Sequence, residues 1–381
     1  MSEGNQMVES PKIDVRVFRL TPEMDEPKYE AFEVPKLPKM TVLDALEYIT
    51  EEIGRDIAYR SSCGIAHCGQ CAVSVNGERV LACLHMIEED KITIEPLPNF
   101  PIIRDLVVDF DRRRNETQKH LHLIRNKDME QFPEKIDPTQ MEKVIDFSQC
   151  IECQICQGVC PIIPGYMEWP GPSHFSWVSR FNTDPRDGGK NNRLNNIGNE
   201  LWYCSNCNSC VNDCPWEIPI RDGINELRSQ VIETGFLPKA LQDSLESTLT
   251  SGSPYQGARK KRNQWISAGE EKAFSDSKKT LYFVGCTSSY DTRAQEIPKA
   301  LVKIFDKANI EIGILDDEET CCGGPIKNIG EIGLFEMLKD ENIKKFNDYG
   351  VENIVTHCPH SFNTFKKDYL EGEGDYKIYH H

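Results

Sequence analysis

The sequence contains no long apolar run. Its 381 residues nowhere approach the roughly 18 consecutive apolar residues of a membrane span, so the chain is not expected to cross a bilayer. Its opening stretch, MSEGNQMVES, has no apolar leader. The expected location is the cytoplasm, either free or peripheral on the cytoplasmic face of a membrane. Positive charge is scarce too: 44 Lys and Arg stand against 61 Asp and Glu, a net charge of −17. Phosphate binding needs a basic footprint, so nucleic acid is excluded as a partner. There is no G-x-S-x-G, P-loop, H-E-x-x-H or strand-linked G-x-G-x-x-G. No residue is therefore assigned a catalytic role.

What the chain has in quantity is cysteine. Sixteen in 381 residues are too few for a small disulfide scaffold and too regularly spaced for chance core positions. The expectation is metal.

Residues 1–11 read as a polar tail. From Lys12, Ile13, Val15 and Val17 share a strand face, and 29–34 suits a second strand. A helix fits 41–53, with Thr41 as N-cap and Leu43, Leu46, Ile49 and Ile53 on one stripe. Asn76-Gly77 predicts a tight hairpin between Cys71 and Cys83, and 91–97 closes the unit as a strand. The expected fold of 12–100 is an α+β, β-grasp ferredoxin-like domain. Pro96, Pro98 and Pro101 mark its exit, and 101–234 is expected to be an all-α domain. Residues 235–279 are polar and read as a linker. From 280 to 381 the pattern is strand (281–284), helix (292–309), strand (311–315), helix (331–349), strand (353–357), which predicts an α/β unit with a parallel sheet. The whole is a multidomain chain.

The cysteines fall into groups. Cys63-x4-Cys68-x2-Cys71 with Cys83 beyond is the spacing of plant-type [2Fe–2S] sites. Gly64 and Gly69 permit the curl that brings three thiolates together. The alternatives are buried thiols or zinc, although tetrahedral zinc prefers paired C-x2–4-C knuckles. Cys150, Cys153, Cys156 and Cys160-Pro161 recur 54 residues later as Cys204, Cys207, Cys210 and Cys214-Pro215. Both are C-x2-C-x2-C-x3-C-P, the two-cluster ferredoxin run whose fourth cysteine ligates the other cluster. The expected [4Fe–4S] ligand sets are Cys150, Cys153, Cys156 with Cys214, and Cys204, Cys207, Cys210 with Cys160. Cys286, Cys321, Cys322 and Cys358 each follow a strand or its loop, so they collect at the carboxyl edge of the sheet, where such folds place ligands. A metal-bound site and free or vestigial thiols are both open readings there.

Residues 12–230 resemble the iron–sulfur subunits of succinate dehydrogenases and fumarate reductases. The likeness is carried by Arg60-Ser61-Ser62-Cys63, by Leu81-Ala82-Cys83, by the segment Pro101 to Val107, and by Gly171-Pro172 with Arg180, Asp184 and Arg186-Asp187. The resemblance implies an electron relay docked on an FAD-containing flavoprotein subunit, the FAD lying on the partner and not on this chain. The sequence departs from that family in two ways. Cys207 supplies a ligand the family usually lacks in its last run, so a complete [4Fe–4S] cluster replaces a [3Fe–4S] one. The Trp and His of the family's quinone site are absent, their places taken by the Ile162-Ile163 stretch and Ser205.

Residues 281–381 resemble one CCG domain of the heterodisulfide reductase catalytic subunit. In that family a noncubane [4Fe–4S] cluster cleaves or forms a disulfide. The spacings, with 34 and 35 residues between Cys286, Cys321-Cys322 and Cys358, match; the final ligand position holds Ser361. Either the site is degenerate, or Ser361 or His360 substitutes, or the sequence is a shortened form lacking a second repeat. The combination resembles the B-subunit family of thiol:fumarate reductases. That implies electron transfer between a flavoprotein and a thiol/disulfide site. The alternatives are a quinone-linked succinate dehydrogenase subunit, with a further CCG-domain or membrane-anchor subunit as partner, and a non-enzymatic multi-cluster ferredoxin.

Other residues have blander readings. His120 and His122 suit a solvated helix face, and His67 a hydrogen-bonding influence on the first cluster. His357 is either a core residue or a neighbour that steadies Cys358. Arg112-Arg113-Arg114 and Arg259-Lys260-Lys261-Arg262 read as solvated surface, with an acidic partner as the alternative. Trp202-Tyr203 read as packing against a cluster.

Overall fold

The computed structural model describes residues 11–118, 123–125, 136–166, 168–266, 273–274, 278–370 and 376–381. His120 and His122 lie outside the described residues. The chain divides into two compact units, Met1–Leu227 and Arg228–His381.

The first unit is built on a five-stranded mixed sheet. Strand β1 (Lys12–Arg19) pairs antiparallel with β2 (Lys28–Pro35). The Asn76-Gly77 turn joins β3 (Ala72–Val75) to β4 (Glu78–Leu81). Strand β5 (Lys91–Glu95) runs parallel to β1 and antiparallel to β3, which makes the order β2-β1-β5-β3-β4. Alternation along β1 drives Ile13, Val15 and Val17 into the core beside Ile92 and Ile94. The helix Val42–Glu51 lays Leu43, Leu46 and Ile49 on the same core. It starts at Thr41, whose hydroxyl accepts from the Asp44 amide at 3.2 Å while the Asp44 carboxylate accepts from the Thr41 amide at 2.7 Å. The helix ends sooner than the stripe suggests: the chain turns at Gly54, and Ile53 is left exposed.

Next comes a short ladder, β6 (Ile102–Arg104) with β7 (Val107–Val108), in the segment expected to open the helical part. At its turn sits Asp105, fully buried, with φ +47°. Its carboxylate accepts from Arg19 Nε (3.1 Å), the Leu20 amide (3.0 Å) and the Ala58 amide (2.9 Å). The regular elements that follow among the described residues of this unit are helices, including Pro138–Ser148, Pro172–Asn182 and Lys190–Ile197.

Among these helices Asp184 is buried and accepts from Arg180 (3.0 Å) and Arg186 (2.7 Å). Burial pushes its carboxyl up, but the two arginines outweigh burial and hold it at about 2. A depressed carboxyl stabilises the fold fully above its unfolded value near 4 and loses that contribution as pH falls through about 2. Asp184→Asn is therefore expected to destabilise the unit by about 2 kcal/mol at neutral pH. Urea unfolding across a pH series should show the gap to the parent closing only at the acid end.

In the second unit β8 (Thr280–Phe283), β9 (Asn353–Thr356) and β10 (Lys377–His380) form a parallel sheet in the order β10-β9-β8. Leu281 and Phe283 face one core with Phe346 and Phe365, while Tyr282 and Val284 face another with Leu301 and Phe305. Helices Glu296–Lys307 and Ile332–Asp348 supply those two faces.

Three expectations need correcting here. The strand expected at 311–315 is reduced to isolated parallel bridges at Gly313 and Ile314. Gly313 offers no side chain to the ladder, and Phe274 packs so closely that a Cβ there would lie 2.8 Å from the Phe274 Cα. Strand β10 was not expected. The stretch read as a linker carries the helix Lys239–Ser251, and it buries Arg262, Trp265 and Phe274 in this unit. Average polarity hid it, because a few buried anchors are enough to dock an otherwise polar segment.

Candidate metal centres

The loop from Cys63 to Cys71 curls as its glycines allow, with Gly64 at φ +66° and Gly69 at φ +69°. The amides of Ile65, His67 and Cys68 point at the Cys63 sulfur (3.5, 3.3 and 3.3 Å), and the Ala66 amide points at Cys83 (3.2 Å). The Ile65 and His67 amides hold the Cys63 thiol down at about 6, whereas burial pushes Cys71 up to about 12. Cys71 and Cys83 stand 3.4 Å apart, brought together by the hairpin. His67 contributes its backbone amide. Arg60, which leads this loop, donates to the Val108 carbonyl (2.8 Å) and lies 5.0 Å over the Phe110 ring.

The 54-residue cysteine repeat is also a repeat of backbone shape. Glu152 and Gln154 have φ +54° and +65°, and their counterparts Asn206 and Asn208 have +57° and +69°. Each run then enters a one-turn helix, Ile155–Gly158 or Ser209–Asn212. Left-handed residues at alternate positions wind the chain round a point, so three sulfurs face inward. One cavity is lined by Cys150, Cys153, Cys156 and Cys214, and a second by Cys160, Cys204, Cys207 and Cys210. Each run has handed its fourth cysteine to the other.

The buried sulfurs in these cavities favour the protonated thiol when no metal is present. Burial, the main cause, lifts Cys150 to about 11 and Cys153 and Cys210 to about 12, and it raises Cys156 and Cys160 as well. Cys207 is the exception: it is exposed, and the Ser209 hydroxyl and amide outweigh burial and lower it. Iron must displace these protons to bind. Among the described residues no three Cys, His, Asp or Glu side chains converge on a single ion, whereas ligands of a polyatomic cluster stand apart around it. The donor sets fit iron–sulfur clusters. The first cluster loop backs directly onto the second site, since a Cβ at Gly69 would lie 2.9 Å from the Cys153 amide nitrogen. Tyr203, just before Cys204, packs against Tyr166 with ring centroids 4.8 Å apart.

The last four cysteines also gather. Cys286 follows β8 and Cys358 follows β9, at the carboxyl ends of parallel strands. Gly285, at φ +81°, brings the first turn against the second: a Cβ there would lie 3.5 Å from Cys358 Cβ and 3.8 Å from Ser361 Oγ. Cys321 interacts with both Cys286 and Cys322, and Ser361 with Cys322. Ser361 is buried on the cysteine side of its helix and His360 is exposed. The Cys321 hydrogen bond and the Arg262 guanidinium hold Cys286 down at about 6, the Cys321 and Ser361 hydrogen bonds lower Cys322, and Cys321 is raised. Behind the cysteines, Asn342 donates to the Cys321 carbonyl (3.0 Å) and Tyr369 to that of Cys322 (3.0 Å).

Two residues at this site escaped the sequence reading. Arg262, the end of a run read as solvated, is only 2% exposed. Its Nη2 donates to Glu319 at 2.7 Å, and its two Nη atoms stand 3.8 and 3.6 Å from Cys286 Sγ. Glu319 also accepts from the amides of Val284 and Gly285, both at 2.9 Å. The one available signal was Glu319 lying two residues before Cys321. Of the other basic run, Arg114 lies 5.2 Å over the Phe110 ring. His357 is engaged at both ring nitrogens, by Tyr282 (2.8 Å) and Ser288 (2.7 Å), and burial lowers it to about 4. It steadies the turn before Cys358 as a neutral ring.

Three family patterns match: a 2Fe-2S iron-sulfur cluster binding domain over residues 14–115, a 4Fe-4S dicluster domain over 146–218 and a cysteine-rich domain over 280–366. A subunit of the fumarate reductase (CoM/CoB) of Methanothermobacter marburgensis is 30% identical over 361 residues, 94% of this chain and 70% of the relative. The fumarate reductase iron-sulfur subunit of Haemophilus influenzae is 34% identical over 238 residues, 58% of this chain and 93% of the relative. A chain of the Mycobacterium smegmatis Sdh1 complex shares the fold with TM-score 0.55 and 23% identity, covering 60% of this chain and 99% of that one. The chain, matched along nearly its whole length and carrying all three cysteine-bearing domains, belongs to the iron–sulfur protein family that includes this fumarate reductase (CoM/CoB) component.

Proposed function

We propose that this chain is the iron–sulfur electron-transfer subunit of a succinate/fumarate oxidoreductase, relaying electrons between an FAD-containing flavoprotein subunit and a thiol/disulfide site in its cysteine-rich domain. The β-grasp domain (12–100) holds [2Fe–2S] on Cys63, Cys68, Cys71 and Cys83. The all-α domain (101–234) holds two [4Fe–4S] clusters on Cys150, Cys153, Cys156, Cys214 and on Cys204, Cys207, Cys210, Cys160. The α/β domain (280–381), with 235–279 packed on it, holds a noncubane [4Fe–4S] cluster on Cys286, Cys321, Cys322 and Cys358. When bound, the clusters supply one-electron transfer, and the protein sets their spacing and electrostatics. The observation that supports this reading best is the exchange of fourth cysteines between the two runs, directly behind the first cluster loop.

Reduction of fumarate to succinate takes two electrons and two protons, which oxidation of two thiols to a disulfide supplies. Among the described residues no helix is long and apolar enough to cross a membrane, so a quinol donor would require another subunit. Purification of the native complex tests the reading. A flavin-containing subunit should co-purify, and fumarate should be reduced with thiol coenzymes as donors. Isolation as a flavin-free monomer would overturn the reading, and reduction by quinols but not by thiols would reassign the donor.

A further inference from the structure

We propose that Arg262 sets the reduction potential of the cysteine-rich cluster site, with Glu319 as the residue that positions it. This rests on the reading of Cys286, Cys321, Cys322 and Cys358 as cluster ligands. A guanidinium stays charged at any accessible pH, and its influence on a neighbouring charge grows as water is excluded. Arg262 is nearly without solvent, and its Nη atoms reach the Cys286 sulfur at 3.6 and 3.8 Å. Its Nε, also buried, has no hydrogen-bond partner among the described residues. Among the described residues, this cation meets the Glu319 carboxylate, the Cys286 sulfur and, at 6.0 Å, the Tyr290 ring.

Glu319 is held in turn by two backbone amides at the end of β8, in the turn that carries Cys286. The carboxylate fixes the arginine to the same turn as the sulfur, so the charge and the ligand cannot drift apart. A buried ion pair by itself contributes little that apolar packing would not. Set against a candidate ligand, however, a fixed cation stabilises the extra negative charge that the cluster gains on reduction. Charge and hydrogen bonds to the sulfurs are what tune such potentials.

The two partners should act with opposite sign. In an EPR-monitored titration of the purified holo-complex with dithionite, the cluster takes up one electron and no bond breaks. Arg262→Gln should make the site harder to reduce, lowering the reduced-to-oxidised ratio at fixed potential at least tenfold, about 59 mV for one electron. Arg262→Lys should restore most of that shift. Glu319→Gln, which removes the countercharge, should shift the potential the other way. An Arg262→Gln protein with full iron content and an unmoved potential overturns the proposal, as does a shift of the same sign at both positions. If Arg262→Gln does not load the site, Glu319→Gln decides: an upward shift upholds the proposal and an unmoved potential overturns it. A parent complex with no fourth cluster signal would instead overturn the cluster reading on which the proposal stands.

Discussion

Cys214→Ser is expected to remove or degrade the cluster of the first cysteine run, whose nearest ligand, Cys156, lies 58 residues away in sequence, while the cluster of its own run persists. Cys160→Ser should do the reverse. The cavity with Cys150, Cys153 and Cys156 is closed by Cys214, and the one with Cys204, Cys207 and Cys210 is closed by Cys160. Serine is a harder and less readily ionised ligand than cysteine thiolate, so an iron loses its anchor. EPR of the reduced protein together with iron and sulfide analysis should show one [4Fe–4S] signal lost and the other retained. Electron throughput should collapse in both variants, because a serial relay fails at any missing station. Cys207→Ala belongs to the same experiment: it should convert the second-run cluster toward a [3Fe–4S] form. If each serine variant instead lost the cluster of its own run, the ligand sets would have to be redrawn as two self-contained sites.

The second large effect is on stability. Asp105→Ala should destabilise the first unit by about 3–5 kcal/mol, the range for breaking a buried charge pair by removing one partner. Asp105 has no solvent exposure, and its carboxylate serves Arg19, the Leu20 amide and the Ala58 amide together. Without it, two half-buried amides lose their acceptor and, among the described residues, Arg19 keeps Glu30 and the Asp56 carbonyl. Asp105→Asn should recover only part of the loss, because its NH2 group would face donors where the carboxylate accepts. The midpoint of urea unfolding of the holo-protein measures both. A change for Asp105→Ala within about 0.5 kcal/mol, as for an ordinary surface site, would show that the donors find other acceptors.

Much of the first unit was legible because its signals are local. Thr41 and Asp44 cap their helix within one turn, Asn76-Gly77 makes its hairpin in two residues, and the alternation of Ile13, Val15 and Val17 needs no partner to be read. The cysteine runs are equally local, since a curled loop must carry its ligands at short spacings. What misled the reading were contacts between distant segments. Arg262 meets Glu319 across 57 positions, and nothing in the basic run around it distinguishes a buried arginine from three solvated neighbours. The strand expected at 311–315 does meet β8, but among the described residues only through an isolated bridge at Gly313, where Phe274 packs against the side-chain-free glycine.

Short-range pattern was enough to specify the kind of chemistry: thiolate spacing points to [2Fe–2S] and [4Fe–4S] domains, in the order in which they follow along the chain. It took the folded chain to show which sulfurs share a cavity, that Ser361 is buried while His360 is exposed, and that a buried cation stands against Cys286. The difference has a physical origin, because ligand type is a property of a few neighbouring residues. The charge and solvation around a ligand, by contrast, are set by whatever the rest of the chain brings to it.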